Sequence, residues 1–337
     1  MIDGPVRFAT RGSRLALAQA ESVKHEVESH RHTVELVEVS TTGDELDDTL
    51  IHELGTTGAF VRALDQEVLD ESVHGAIHSM KDVPTDNPES LVIAAIPPRG
   101  PSEDVLVTPA GDSLTELPDG ATVGTASLRR RAQVLNQRSD LEVEPVRGNV
   151  DTRLVKLYAT AFDREEEPVG PTGLLERAQD REVETEYDAL VLAKAGLQRA
   201  GFLDEIQYAT LPVPTAPGQG AIAINTLDND FGTWLNELID DPRSRVETTV
   251  ERCILATLGG GCIAPIAVDA VIQGEHVQTE VQVLNRDGSE TVEANVQLPV
   301  PDHVEAAQEL AEKLIEQGAD ELIEAARRDE PSPPHRD

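Results

Sequence analysis

Strand-like and helix-like segments alternate along residues 6–225 of this 337-residue chain. Short apolar runs are separated by segments whose apolar residues recur with helical spacing, as in residues 14–29 behind a potential N-cap at Ser13. Repeated alternation of this kind requires an α/β sheet with helices on both faces. The predicted strands are residues 6–10, 34–39, 75–78, 91–96, 121–124, 141–146, 188–193 and 221–225, and further helices are predicted over 60–69, 128–137 and 152–158.

Two segments rich in proline and glycine, residues 97–101 and 211–220, interrupt this alternation. Two such crossings suggest that the chain leaves a first lobe and later returns to it. The last third differs, with helical segments, three antiparallel strands and a terminal helix predicted over 304–326. The predicted domains are lobe 1 (1–98 and 208–228), lobe 2 (102–205), a C-terminal domain (231–327) and a frayed tail (328–337).

An acidic segment within lobe 2, residues 159–186, carries nine acids against three bases. We interpret it as a surface insertion that is partly disordered or forms a short acidic helix.

The overall charge is strongly negative, with 63 acids against 28 bases and a formal net charge of −35. Phosphates need a basic counter-surface, so this balance argues against sequence-independent binding to nucleic acid. Only five of the bases are lysines. This composition is typical of a salt-accumulating, halophilic cytoplasm, where salt screens the self-repulsion. The alternative is an acidic protein from a cell of ordinary salinity.

Three further features of the sequence indicate the cellular compartment. There is no apolar run of ~18 residues, the length that a membrane-spanning helix needs. The first residues have neither the basic flank nor the apolar run of a secretion signal. Cys253 and Cys262 cannot build a disulfide framework, so a reducing cytoplasm is expected.

Arginines follow the ends of three predicted strands, each at a turn of small residues before a helix. Free N–H groups at a helix N-terminus and planar guanidinium groups both bind carboxylates or phosphates, and open α/β sheets bind ligands at this edge. The pattern predicts a site for a small molecule with several anionic groups, while the alternative is pairing with surface acids. Because no phosphate-binding glycine loop is present, polycarboxylates are favoured over nucleotides.

Two reactive groups remain open to two interpretations each. Asp82 follows Lys81 in a proline-stiffened turn, where it is either a turn-capping carboxylate or an ionised group that stabilises a cation or transfers a proton. Cys262 follows three glycines, where it is either a buried free thiol or a nucleophile or covalent attachment point. The histidines form no metal-binding pair, so no metal is predicted.

Six segments together resemble the porphobilinogen deaminases, or hydroxymethylbilane synthases, in order and spacing from about residue 5 to residue 325. They are Ala9-Thr10-Arg11-Gly12-Ser13, His78-Ser79-Met80-Lys81-Asp82-Val83-Pro84, Gly124-Thr125-Ala126-Ser127-Leu128-Arg129-Arg130, Arg147-Gly148-Asn149-Val150-Asp151-Thr152-Arg153, Pro217-Gly218-Gln219-Gly220 and Gly260-Gly261-Cys262.

The resemblance implies two doubly wound, periplasmic-binding-protein-like lobes and a smaller C-terminal α/β domain with an antiparallel sheet. It also implies a transferase of tetrapyrrole biosynthesis that joins four porphobilinogen molecules head to tail into hydroxymethylbilane and releases ammonia. The implied cofactor is a covalently attached dipyrromethane, and the implied partner is a small-molecule substrate, without nucleic acid or membrane. The chain is expected to be a cytoplasmic monomer.

Residue roles follow from motif position within the resemblance. Cys262 would form the thioether to the cofactor, and Asp82 would be catalytic. The groups implied to hold cofactor carboxylates are Lys81, Ser127, Arg129 and Arg130, and those implied to hold substrate and the growing chain are Arg11, Ser13, Arg147, Arg153 and Arg199. The rival hypothesis is a non-catalytic, two-lobed polycarboxylate-binding protein, in which Cys262 and Asp82 have no required role.

The sequence departs from the family pattern in four places. Ala126 replaces a serine, and the segment 53–60, with Glu53 and Thr57, lacks lysines that often occur there. Asp151 brings an acid into an otherwise cationic segment, and the insertion 159–186 has no counterpart.

Overall fold

The computed structural model of the chain describes residues 4–39, 57–86, 88–161, 171–179, 185–260 and 264–328. Its strands are β1 Val6–Thr10, β2 Val34–Glu38, β3 Gly75–Ser79, β4 Leu91–Ala95, β5 Asp104–Val107, β6 Thr122–Gly124, β7 Glu142–Glu144, β8 Ala189–Ala193, β9 Tyr208–Thr210, β10 Ile222–Leu227, β11 Ile266–Gln273, β12 His276–Leu284 and β13 Thr291–Pro299. Its helices are α1 Arg14–Ser29, α2 Thr57–Leu69, α3 Leu128–Gln137, α4 Val150–Ala161, α5 Thr172–Ala178, α6 Lys194–Arg199, α7 Asp230–Ile239, α8 Pro242–Thr257, α9 His303–Glu316 and α10 Ala319–Arg328.

The first lobe is built on a five-stranded sheet in the order β2-β1-β3-β10-β4. Strands β2, β1 and β3 are parallel, so their carboxyl ends meet at one edge, and β10 runs antiparallel to β3 and β4. Strand β10 follows the second crossing, which confirms that the chain returns to this sheet. The buried strand side chains of Phe8, Ile77 and Ile224 form the core with helices α1 and α7.

The second lobe repeats this arrangement in a sheet of order β7-β6-β8-β5-β9. Again three strands are parallel, and the antiparallel strand β5 follows a crossing, here the first one. Sequence analysis missed β5 and β9. Strand β9, Tyr208–Thr210, pairs with β5, so the predicted return to lobe 1 at residue 208 comes too early, because the chain first extends the second sheet. The other domain boundaries stay predictions.

The C-terminal domain packs helices against an antiparallel sheet of order β11-β12-β13. The inward side chains of Val268, Val281 and Val283 meet those of Ile254 on α8 and Leu314 on α9 in one apolar core. This arrangement confirms the predicted α/β domain with an antiparallel sheet. The single helix predicted over 304–326 is wrong, because the chain breaks it at Gln317 and Gly318 into α9 and α10.

The three domains meet at a buried ion pair between Arg99, on the first crossing, and Glu251, on α8. Arg99 Nη1 and Nη2 lie 2.7 and 3.1 Å from the two Glu251 oxygens, and Arg99 Nε donates to Gln219 O on the second crossing at 2.8 Å. Glu251 also accepts from the backbone N–H of Gly218 at 2.6 Å. Both crossings are therefore tied to the C-terminal domain.

The described part of the acidic insertion contains the short helix α5, Thr172–Ala178. Helix α5 packs on α4 through buried Leu174 and Ala178. Arg177 Nη2 on α5 lies 3.2 Å from Asp151 Oδ2, so the insertion supplies a counter-charge to the acid that departs from the family pattern. No helix in the described ranges has the length and apolar character needed to cross a bilayer.

Candidate active site

The carboxyl edge of the first sheet carries Arg11, Ser13 and the Lys81–Asp82 turn. Ser13 is the N-cap of α1, and its Oγ accepts from Ala16 N at 3.3 Å, as the sequence predicted. Arg11 lies between the end of β1 and this cap, and its side chain interacts with other groups. The N-terminus of α1 and Arg11 therefore both lie at the carboxyl edge of the first sheet.

The turn that bears Lys81 and Asp82 is one turn of 3-10 helix, Met80–Asp82, directly after β3. Met80 is fully buried, and its N–H donates to Ala221 O at 3.0 Å. Arg252 on α8 donates to the carbonyls of Val83 and Pro84 at 2.8 and 2.7 Å, so the C-terminal domain also holds this turn. The backbone is fixed, while the side chains of Lys81 and Asp82 are exposed.

Neither of these two side chains hydrogen-bonds to another residue in the part of the chain that the structure describes. Desolvation lowers the pKa of the Lys81 ammonium, although the charge of Asp82 opposes this and those of Arg129 and Arg130 on α3 add to it. Gly218 on the second crossing lies against Met80 and the backbone nitrogen of Lys81. The next residue, Gln219, accepts from Arg130 Nη2 at 3.2 Å, so the turn of lobe 1 lies close to the start of α3 in lobe 2.

Arg129 and Arg130 are buried on the first turn of α3, whose N-cap is Ser127. Both lie against Asp104 at the start of β5: Arg129 Nη2 is 2.8 Å from Oδ2, and Arg130 Nη2 is 2.7 Å from Oδ1. Burial disfavours the Asp104 carboxylate, but the two guanidinium charges outweigh it and hold its pKa well below the usual range. One carboxylate balances two cations, so a net positive charge remains.

Of the remaining predicted arginines, Arg147 and Arg153 follow β7 in lobe 2, and Arg199 contacts the second crossing. Desolvation and the charge of Arg130 lower the pKa of Arg153 to about 10. Arg153 Nε donates to Gly148 O at 2.7 Å, while the carbonyl of Arg147 accepts from Lys156 Nζ at 3.2 Å. Arg199 Nη2 donates to Gly220 O at 2.6 Å, so it lies at the second crossing.

Cys262 lies outside the described residues, as do Glu53 and the side chain of Thr57. Its segment begins directly after Gly260, whose N–H donates to Leu255 O at 3.0 Å at the end of α8. Helix α8 therefore both leads into the cysteine segment and contacts the Asp82 turn through Arg252.

Sequence reasoning missed two buried acids near the site, Asp104 and Asp65. In the sequence, Asp104 is simply an acid in front of an apolar run. Its partners, Arg129 and Arg130, lie 25 and 26 residues further along the chain. Gln219 donates to Asp104 Oδ1 at 2.8 Å. His78 Nε2 lies 2.9 Å from Asp65 Oδ1 beneath the Lys81 turn, and no motif in the sequence pointed to Asp65.

Comparison with known proteins identifies the family. Residues 6–233 match the family model described as the porphobilinogen deaminase "dipyromethane cofactor binding domain", and residues 246–316 match the C-terminal domain of the same family. The chain belongs to the porphobilinogen deaminase family. A probable porphobilinogen deaminase of Halobacterium salinarum is 44% identical, with 96% of this chain and 98% of the relative covered. That source agrees with the halophilic composition of the sequence.

More distant members of the porphobilinogen deaminase family are also similar over nearly the whole chain. A probable porphobilinogen deaminase of Methanococcoides burtonii is 38% identical over 95% of this chain and 96% of its own. A porphobilinogen deaminase of Campylobacter fetus is 34% identical over 95% and 98%. Among solved structures, a periplasmic substrate-binding protein from Coxiella burnetii has a TM-score of 0.37 at 11% identity, covering 71% of this chain and 94% of that chain, which is too weak to carry an argument.

Proposed function

We propose that the candidate site binds porphobilinogen and condenses four molecules of it, head to tail, into hydroxymethylbilane with release of ammonia. The observation that carries this proposal is a group of cations in a chain of net charge −35: the charges of Arg129 and Arg130 in lobe 2 act on Lys81 of lobe 1, and that of Arg130 also acts on Arg153. Porphobilinogen carries an acetate and a propionate, so each added unit brings two carboxylates. Guanidinium groups match such carboxylates in geometry and charge.

The donor set also fits a dipyrromethane cofactor, which consists of two such pyrrole units. Desolvation lowers the pKa values of Lys81 and Arg129, and bound carboxylates would stabilise the charged forms of these two groups. We assign the cofactor carboxylates to Lys81, Ser127, Arg129 and Arg130, and the thioether to Cys262. The bound cofactor supplies the primer to which substrate units are joined.

Substrate and the growing chain require further cationic groups along the same edge. We assign this role to Arg11, Ser13, Arg147 and Arg153, which follow β1 and β7 at the carboxyl edges of the two sheets. Arg199 is assigned with them through its place at the second crossing. Each added pyrrole unit of the growing chain then binds one of these arginines through its carboxylates.

Asp82 is the proposed catalytic group. When ammonia leaves porphobilinogen, the C–N bond breaks with its electron pair on nitrogen, and the remaining pyrrole is cationic. An exposed carboxylate on a rigid turn can stabilise that cation and accept the proton that ring substitution releases.

Release of ammonia separates this function from a non-catalytic polycarboxylate-binding protein. Purified protein in concentrated KCl is incubated with porphobilinogen, and ammonia and porphobilinogen are measured over time. We expect one ammonia for each porphobilinogen consumed over many turnovers. Saturable binding without ammonia would support the two-lobed binding protein and contradict the proposed enzyme.

The other partner assignments remain part of the proposal. The net charge of −35 supports the absence of nucleic-acid binding. A monomer in a reducing cytoplasm, without a membrane partner, is the proposed state.

A further inference from the structure

The C-terminal domain contacts helix α3 at the residue next to the candidate cofactor arginine. Gln133, one turn after Arg129, accepts from Arg129 Nη1 through Oε1 at 2.7 Å. Its amide nitrogen donates to Gln282 Oε1 on β12 at 3.0 Å and to Pro214 O at 2.9 Å. Gln133 is almost fully buried, so a continuous hydrogen-bonded path runs from β12 to the Arg129 guanidinium.

The turn between β12 and β13 reaches the same helix at a second point. Asn136 Nδ2 donates to Gly288 O at 2.8 Å. Gly288 has φ +73°, and a Cβ there would overlap the carbonyl oxygen of Ala132 and lie 2.7 Å from Asn136 N. This close approach requires glycine, so the turn and α3 are packed backbone against backbone.

These contacts restrain the Arg129 guanidinium from two sides. Asp104 lies at Nη2, whereas Gln133 and, at 3.5 Å, Pro214 O lie at Nη1. The hydrogen bonds of this guanidinium to described residues are at Nη1, and Asp104 forms a close ion pair at Nη2, so Nε–H remains for a ligand. A planar fork held in one orientation loses little further entropy when it binds a carboxylate.

We propose that Gln282 and Gln133 are positioning residues, through which the C-terminal domain orients Arg129 toward a cofactor carboxylate. The inference rests on the proposed assignment of Arg129 to the cofactor. Cys262 lies between α8 and β11, in the same domain as Gln282. One domain therefore carries the covalent anchor and also sets the direction of the guanidinium that receives the anchored group.

The positioning role of this hydrogen-bonded path is tested with variants at Gln282. Gln282→Met removes the acceptor and keeps the volume, Gln282→Glu keeps an acceptor, and Gln278→Met is the control on the same strand, where the side chain bonds only to Asn295 among the described residues. We expect Gln282→Met to lower the fraction of purified chain that carries the cofactor mass by about threefold, and kcat by about tenfold, the lower end for lost supporting contacts. Gln282→Glu and Gln278→Met should remain within twofold of wild type. Normal loading and kcat in Gln282→Met would overturn the proposal.

The close approach is tested with two hairpin glycines in the same domain. Gly288→Ala and Gly274→Ala both place a side chain at positive φ, +73° and +65°, but only the first meets α3, since nothing lies within 4 Å of a Cβ at Gly274. Hydrogen exchange of the α3 amides should accelerate in Gly288→Ala and not in Gly274→Ala. Equal hydrogen exchange of the α3 amides in the two variants would contradict the close packing of the β12–β13 turn on α3.

Arg129→Leu separates this inference from the function on which it rests. If Arg129→Leu prevents cofactor loading while Gln282→Met loads normally, only the positioning role is wrong. If Arg129→Leu loads and turns over as wild type does, the assignment of Arg129 to the cofactor is wrong, and the positioning role falls with it.

Discussion

Asp82→Asn should lower kcat by about 10²- to 10⁴-fold, the usual contribution of a general acid–base group. The substitution keeps the size of the side chain and removes the charge that balances the cationic pyrrole. Asp82 is exposed, and no hydrogen bond to another described residue depends on it. The free energy of unfolding should therefore change by no more than ~0.5 kcal/mol, and the cofactor mass should remain.

The matched control is Asp86→Asn, four residues further along the same exposed segment. Steady-state kinetics with porphobilinogen should show wild-type kcat for this variant. If Asp82→Asn also retains kcat within a factor of three, Asp82 has no catalytic role.

Asp104→Asn should be the most destabilising polar substitution near the candidate site. Asp104 is fully buried and lies against Arg129, Arg130 and Gln219, so its loss leaves two buried guanidinium groups without their counter-charge. Breaking a buried ion pair in this way costs about 3–5 kcal/mol. Urea unfolding in concentrated KCl measures the difference directly.

Glu103→Gln provides the control, because Glu103 is the preceding residue and forms a partly exposed ion pair with Lys194 at 3.3 Å. Removing an exposed pair costs at most about 1 kcal/mol. Equal stability of the two variants would show that the Asp104 carboxylate does not hold the arginines.

The same contacts predict a pH dependence with a defined sign. The pKa of Asp104 in the folded protein lies below its ordinary value of 3.8, so its ionisation stabilises the folded state at neutral pH. That stabilisation is present above the pKa of the unfolded carboxyl and is lost as the pH falls toward the folded value. The stability difference between wild type and Asp104→Asn should be constant from pH 5 to 8 and should shrink below about pH 4.

Local features of the sequence predicted much of the fold. Helix α3 has the predicted bounds because its cap, Ser127, lies next to it in the chain. Strands β5 and β9 were missed because short segments beside a proline-rich crossing become strands only by pairing with distant partners, such as Asp104 with Ala193. The terminal helix was predicted as one because both halves are amphipathic, whereas Gly318 adopts a φ of +95°, which ends α9.

The candidate site shows the same division. Motifs pointed to Arg129, Arg130 and Asp82, since each lies at a strand end next to a turn. Asp104 and Gln133, which contact these arginines, are polar residues that were not predicted as part of the site. Residue types therefore predicted which groups bind, and tertiary contacts determine how they are held.

The most direct test of the account is the intact mass of the purified protein, followed by peptide mapping. We expect a mass above that of the sequence by one dipyrromethane, located on the peptide that contains Cys262. The Cys262→Ser variant should have the bare sequence mass. A Cys253→Ser variant, altered in the partly buried thiol of α8, should keep the adduct. Wild-type protein that turns over porphobilinogen at the bare sequence mass, or an adduct that persists in Cys262→Ser, would contradict the central claim.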